Sequence, residues 1–100
     1  AELKDRRILA EEGFVSVYAV VETTTGTILA GPHIQARGVA EDDSVFEEIL
    51  PDVTEALSAA LETGKADAYS LQQVMRRTLG RWIGRRLKRR PMIVPVVIEA

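Results

Sequence analysis

One hundred residues, 46% apolar and 28% charged, fit one globular domain that buries roughly two-thirds of its unfolded surface. The chain has no cysteine, which removes disulfides, thiolate metal sites and a cysteine nucleophile, and no apolar run approaches the ~20 residues of a membrane helix. The net charge of −2 hides an asymmetry: residues 1–70 hold five cations against fourteen acids, a net of −9, and residues 71–100 hold eight cations against one acid, a net of +7.

Residues 1–12 are charged, with Leu3, Ile8 and Leu9 as apolar anchors, and read as an arm leading in from a preceding domain; residues 13–100 are the domain itself. No apolar core of signal-peptide length follows AELKDRRIL, so this beginning looks like a cut inside a longer chain, and a cytoplasmic location is expected. Phe14–Glu22, FVSVYAVVE, places Val15, Val17, Ala19 and Val21 on one side and Phe14, Ser16, Tyr18 and Val20 on the other. That is a strand too apolar for one open face. Thr23–Gly26 is a turn, and Thr27–Ala30 returns as a short strand. Gly31-Pro32 is expected to end it, because proline has no amide donor for a continued ladder. His33–Ala40 then makes a separate extended segment, with Gly38 marking a bulge or a close approach.

Ser44 is placed to open a helix over residues 44–63, with Glu47 at capping-box spacing. Phe46, Ile49, Leu50, Val53, Leu57, Ala60 and Leu61 recur as its buried stripe. Pro51 lies beyond the first turn of such a helix and predicts a kink or a two-part helix. Asp67 caps a second helix over residues 68–87, whose inner stripe is Leu71, Val74, Met75, Leu79, Trp82 and Ile83. Gly80 and Gly84 weaken that helix by about 1 kcal/mol each relative to alanine, which suggests close approach of a neighbouring backbone. Pro91 forbids continuation, and residues 92–99 form the final strand, with Pro95 marking an edge. The expected fold is α+β: a two-layer sandwich with a small mixed sheet of three to four strands and two helices packed on one face.

The residues assemble no catalytic site. His33, the single histidine, follows a turn and reads as a solvated or backbone-bonded imidazole. No set of His, Cys or carboxylate side chains has metal-ligand spacing, so no metal or cofactor is expected in this domain. The carboxylate pairs Asp42/Asp43 and Glu47/Glu48 are accounted for by the positive end of a helix dipole. GTILAGP lacks the Lys-Ser/Thr of a phosphate loop.

The basic cluster allows two readings. Arg77, Arg81 and Arg85 follow at i, i+4 and i+8, and Lys88, Arg89 and Arg90 crowd the helix end. The plain reading is a solvated face that compensates the helix dipole and bridges to the acidic half. The functional reading is contact with nucleic-acid phosphates through these six cations, which would make binding fall with salt. Tyr69 and Trp82 could stack on bases, but Trp82 lies on the apolar stripe and reads as core.

RRPMIVPVVIE at residues 89–99, with GTILAGPHIQARG at 26–38 and DRRILAEEGFVSVYAVV at 5–21, resembles the C-terminal domain of the ribonuclease J family. The resemblance covers essentially the whole chain, and the Arg-Arg-Pro-Met-Ile run is its most specific part. Those bacterial and archaeal metallo-β-lactamase/β-CASP enzymes process and degrade RNA with zinc held by His/Asp motifs of an upstream catalytic domain, and none of those motifs is in this chain. The resemblance therefore implies a non-catalytic appendage, with zinc only in the parent's catalytic domain, whose partners are the rest of the parent ribonuclease and further copies in a homo-oligomer. RNA is the alternative partner, through the basic helix, and no membrane is expected. Because the first strand is apolar on both faces and one helical layer covers only one, exposed apolar surface is expected as well.

Overall fold

The computed structural model describes residues 12–100, so the arm expected over residues 1–12 lies, Glu12 apart, outside the described residues. Among the described residues three strands, β1 (Phe14–Glu22), β2 (Thr27–Arg37) and β3 (Met92–Glu99), form one sheet in the order β2-β1-β3. Two helices, α1 (Leu50–Glu62) and α2 (Ala68–Arg86), cover one face of it, α1 over β2 and α2 over β3. The sheet is mixed: β1 pairs antiparallel with β2 and parallel with β3. No helix among the described residues is long and apolar enough to cross a membrane.

Strand alternation decides which half of β1 is buried. Val15, Val17, Ala19 and Val21 are completely buried beneath the helices, as the period of two requires. They share one core with Leu57 of α1 and with Leu71, Met75, Leu79 and Ile83 of α2. Trp82 packs its ring on Phe46 at 5.5 Å between centroids, so it belongs to the core. Among the described residues no polar or charged side chain is buried.

The return strand differs from expectation. Thr27–Ala30 and His33–Ala40 are not separate elements; β2 runs unbroken from Thr27 to Arg37. Tyr18 pairs with His33 and Val20 with Ala30, so Gly31 and Pro32 together oppose Ala19. The proline without a donor is thereby absorbed in a bulge. Gly31 has φ 82°, its peptide to Pro32 is cis, and a Cβ added there would lie 2.7 Å from the Tyr18 carbonyl oxygen. Only glycine fits that positive φ and that close approach to the carbonyl.

The helix expected over residues 44–63 is in two parts: a 3₁₀ turn at Asp43–Glu48, then α1. Pro51 sits in the first turn of α1, where its missing N–H would have had no helical partner, so the break precedes the proline. The cap is also one residue pair earlier than expected. Asp42, not Ser44, takes the N-cap, and its Oδ1 accepts the Ser44 backbone N–H at 2.9 Å. The hydrogen bonds from the Ser44 backbone and side chain hold the Asp42 carboxyl below the usual carboxylate range.

Asp67 caps α2 as expected, accepting the Ser70 N–H at 2.8 Å while Ser70 Oγ accepts the Asp67 N–H at 3.1 Å. Gly26 and Gly64 take the left-handed positions that their turns demand, φ 71° and 70°. The glycines inside α2 do not mark a crossing backbone. A Cβ on Gly80 would meet only the Ile93 Cδ1 at 3.3 Å, and one on Gly84 would meet nothing within 4 Å.

Candidate functional site

Two surfaces stand out, one charged and one apolar. The charged one is an open groove of about 680 Å³ between the last turns of α2 and the start of β3. Gly80 and Gly84 with Pro91 and Ile93 make its largely apolar floor, and Arg81, Arg85, Lys88 and Arg90 stand around it. Arg89 lines it too and also borders a neighbouring recess beside Val39 and Leu87. Glu12 is the one acid lining the groove among the described residues, and none of them forms an ion pair with Arg81, Arg85, Lys88 or Arg90.

Arg77 does not join this group. Each four-residue step along a helix turns the side chain by about 40°, so Arg77 ends about 80° away from Arg85 and lines a separate recess with Tyr69, Gln73 and Lys65. Tyr69 is exposed and lines that recess, not the groove. Arg86 turns the other way and donates from Nε to Glu48 Oε2 at 3.2 Å. That bridge to the acidic half is the plain reading realised at one arginine. Both its ends are half exposed, so it contributes little stability.

Lys88 has an unusual backbone. The helix ends at Leu87, whose N–H donates to the Ile83 carbonyl at 2.9 Å, and Lys88 follows with φ 56°. This left-handed position after a helix is normally filled by glycine. The turn brings Lys88 to the groove, and Arg89 and Arg90, on the way to β3, line it as well.

The apolar surface is the sheet face turned away from the helices. Tyr18, Val94, Val96 and Ile98 are 36%, 37%, 39% and 51% exposed. Parallel register places Val94, Val96 and Ile98 beside Ser16, Tyr18 and Val20. The Tyr18 ring leans on His33 at 5.0 Å between centroids, so the histidine is an exposed member of this face. Alternation puts two charges at its ends: Glu22, the last residue of β1, and Arg37, opposite Phe14 at the other end. The Val94/Val96/Ile98 stripe was readable as a period of two; the glycine floor and the left-handed Lys88 carried no sequence signal of a groove.

The family model of the ribonuclease J C-terminal domain matches residues 1–100. The chain belongs to this ribonuclease J C-terminal domain family. Ribonuclease J of Mycobacterium tuberculosis is 40% identical over 93 residues, which are 93% of this chain and 17% of that protein. Ribonuclease J of Corynebacterium glutamicum is 35% identical over 100 aligned residues, 96% of this chain and 14% of that protein. Ribonuclease J 2 of Staphylococcus aureus is 34% identical over 100 aligned residues, 97% of this chain and 18% of that protein. The chain spans less than a fifth of the length of these curated relatives. In this ribonuclease J C-terminal domain, no three His, Cys, Asp or Glu side chains converge among the described residues, so they offer a metal ion no ligand set.

Proposed function

We propose that this domain is a non-catalytic accessory part of a ribonuclease J and supports the association of its subunits. Through that association it sustains a zinc-dependent enzyme that degrades RNA from the 5′ end and cleaves it internally, with the zinc held outside these residues. The observation that carries this reading is the uncovered sheet face around Tyr18, Val94, Val96 and Ile98. A contiguous apolar face on a small domain is costly to leave in water and marks an interface.

A second copy of the same face is its best occupant. The centre is uncharged, so pairing it with itself meets no like-charge penalty. A twofold axis would lay Arg37 of one copy over Glu22 of the other, at both ends at once. Sedimentation of the chain over a range of concentrations tests this. Val96→Lys should leave it monomeric; Arg37→Glu should weaken association, and adding Glu22→Arg should restore it. A wild-type chain that stays monomeric at high concentration would sink the reading. A second reading, contact with RNA phosphates through α2, has the basic groove in its favour.

A further inference from the structure

We infer that the groove between α2 and β3 is a seat for a short single-stranded stretch of RNA, with backbone phosphates on Arg81, Arg85, Lys88 and Arg90 and a ribose or base on the floor at Gly80, Gly84 and Ile93. The choice of RNA among polyanions rests on the proposed ribonuclease J parent. The seat itself rests on how three elements converge there.

The cations come from separate parts of the chain: Arg81 and Arg85 from the helix, Lys88 from the turn and Arg90 from the approach to β3. Helix-dipole compensation accounts for cations in the last turn, Arg85 and Arg86, but not for Arg90, which lies beyond the helix on the approach to β3. Like charges gathered around one groove repel each other, and an anion between them removes that repulsion. Arg81 and Arg85 are one turn apart, about 6 Å along the axis, a spacing comparable to successive phosphates of an extended strand.

The floor selects the form of the nucleic acid. Gly84 has open space where a Cβ would stand, so alanine would fit there and would favour the helix. The glycine keeps the groove deep. A duplex presents its phosphates outward and keeps its bases stacked inside, whereas a single strand can place a sugar or base face on an apolar floor.

Fluorescence anisotropy of the 100-residue chain with a labelled single-stranded ten-nucleotide RNA, across a salt series, tests the assignment. The double variant Arg81→Glu/Arg85→Glu should lower affinity at least about tenfold and reduce the log–log salt slope by about 1.4, the value for two lost phosphate contacts on a single strand. Gly84→Ala should weaken binding several-fold with an unchanged or higher thermal midpoint, which a purely structural glycine would not produce. Arg77→Glu, outside the groove, should have a smaller effect than either groove arginine. Unchanged affinity and slope in the double variant, equal affinity for a duplex of the same length, or equally tight binding of polyaspartate would each overturn the proposal. Val96→Lys should leave RNA binding intact, so loss of assembly and loss of the groove are read separately.

Discussion

The Gln72 side chain accepts the Val97 backbone N–H at 3.1 Å and so ties α2 to the outer edge of β3. Met92 and Ala100 donate their N–H groups to β1, at Gly13 and Val21, so the even-numbered amides of β3 face the sheet and the odd-numbered ones face outward. Pro95 therefore lies where it removes no ladder bond, and Val97 is occupied by Gln72. This open edge is blocked at two successive positions, a common protection against strand-on-strand association.

Replacing Gln72 by leucine should destabilise the fold by about 1 kcal/mol, because the partly buried Val97 donor loses its partner. Hydrogen exchange gives the sharper readout. The Val97 amide should exchange much faster in the variant while Val15 and Val17 keep their order of protection; an unaltered Val97 rate would show that the bond contributes nothing.

Gly31→Ala should cost at least about 2 kcal/mol, since a left-handed backbone alone disfavours alanine by about 1–2 kcal/mol and the new Cβ would press on the Tyr18 carbonyl. Urea denaturation measures the loss. A neutral result would mean that the bulge in β2 is easily rearranged.

Lys88→Gly separates stability from binding. It relieves about 1–2 kcal/mol of left-handed strain and adds about 0.5–1 kcal/mol of chain entropy to the unfolded state. The net expectation is a gain of up to about 1.5 kcal/mol in folding stability, with weaker RNA binding. A variant less stable than wild type would contradict the reading of Lys88 as a strained residue kept for its charge.

Asp67 gives the fold an acid-sensitive element. The Ser70 backbone and side-chain hydrogen bonds lower its folded pKa, so its contribution is complete above the ordinary carboxylate value and is lost as pH falls through the lowered folded one. Asp67→Ala should therefore lower the thermal midpoint at neutral pH, and the gap to wild type should close in strong acid. A gap that persists there would mean that the cap does not depend on the ionised carboxylate.

Periodicity made the helical side of the molecule readable. Leu71, Met75, Leu79, Trp82 and Ile83 recur at helical spacing and are all buried, while Val74, expected on the same stripe, is only partly covered and lines the Arg77 recess; β1 alternates as strictly as FVSVYAVVE promises. The errors fell where local chemistry has two solutions. Proline after Gly31 ends a strand unless a bulge absorbs it, and the sequence around Pro32 does not say which. Asp42, Asp43 and Ser44 are all good caps, and the choice among them depends on where the preceding loop enters. The groove was half readable: the cations were visible, but their division among the groove, the Arg77 recess and the Glu48 bridge depends on angular drift along α2.

The sheet joins the earliest described strand to the last: β3 lies alongside β1, from Phe14 beside Met92 to Val21 beside Glu99. This arrangement sets an order on folding. The β1–β2 hairpin and both helices can form from segments close in sequence, but β1 keeps one bare edge and the core one open side until residues 92–99 dock. The pairing that closes the sheet spans about 78 residues, from Phe14 to Met92, so its loop-closure cost falls on the last step of assembly.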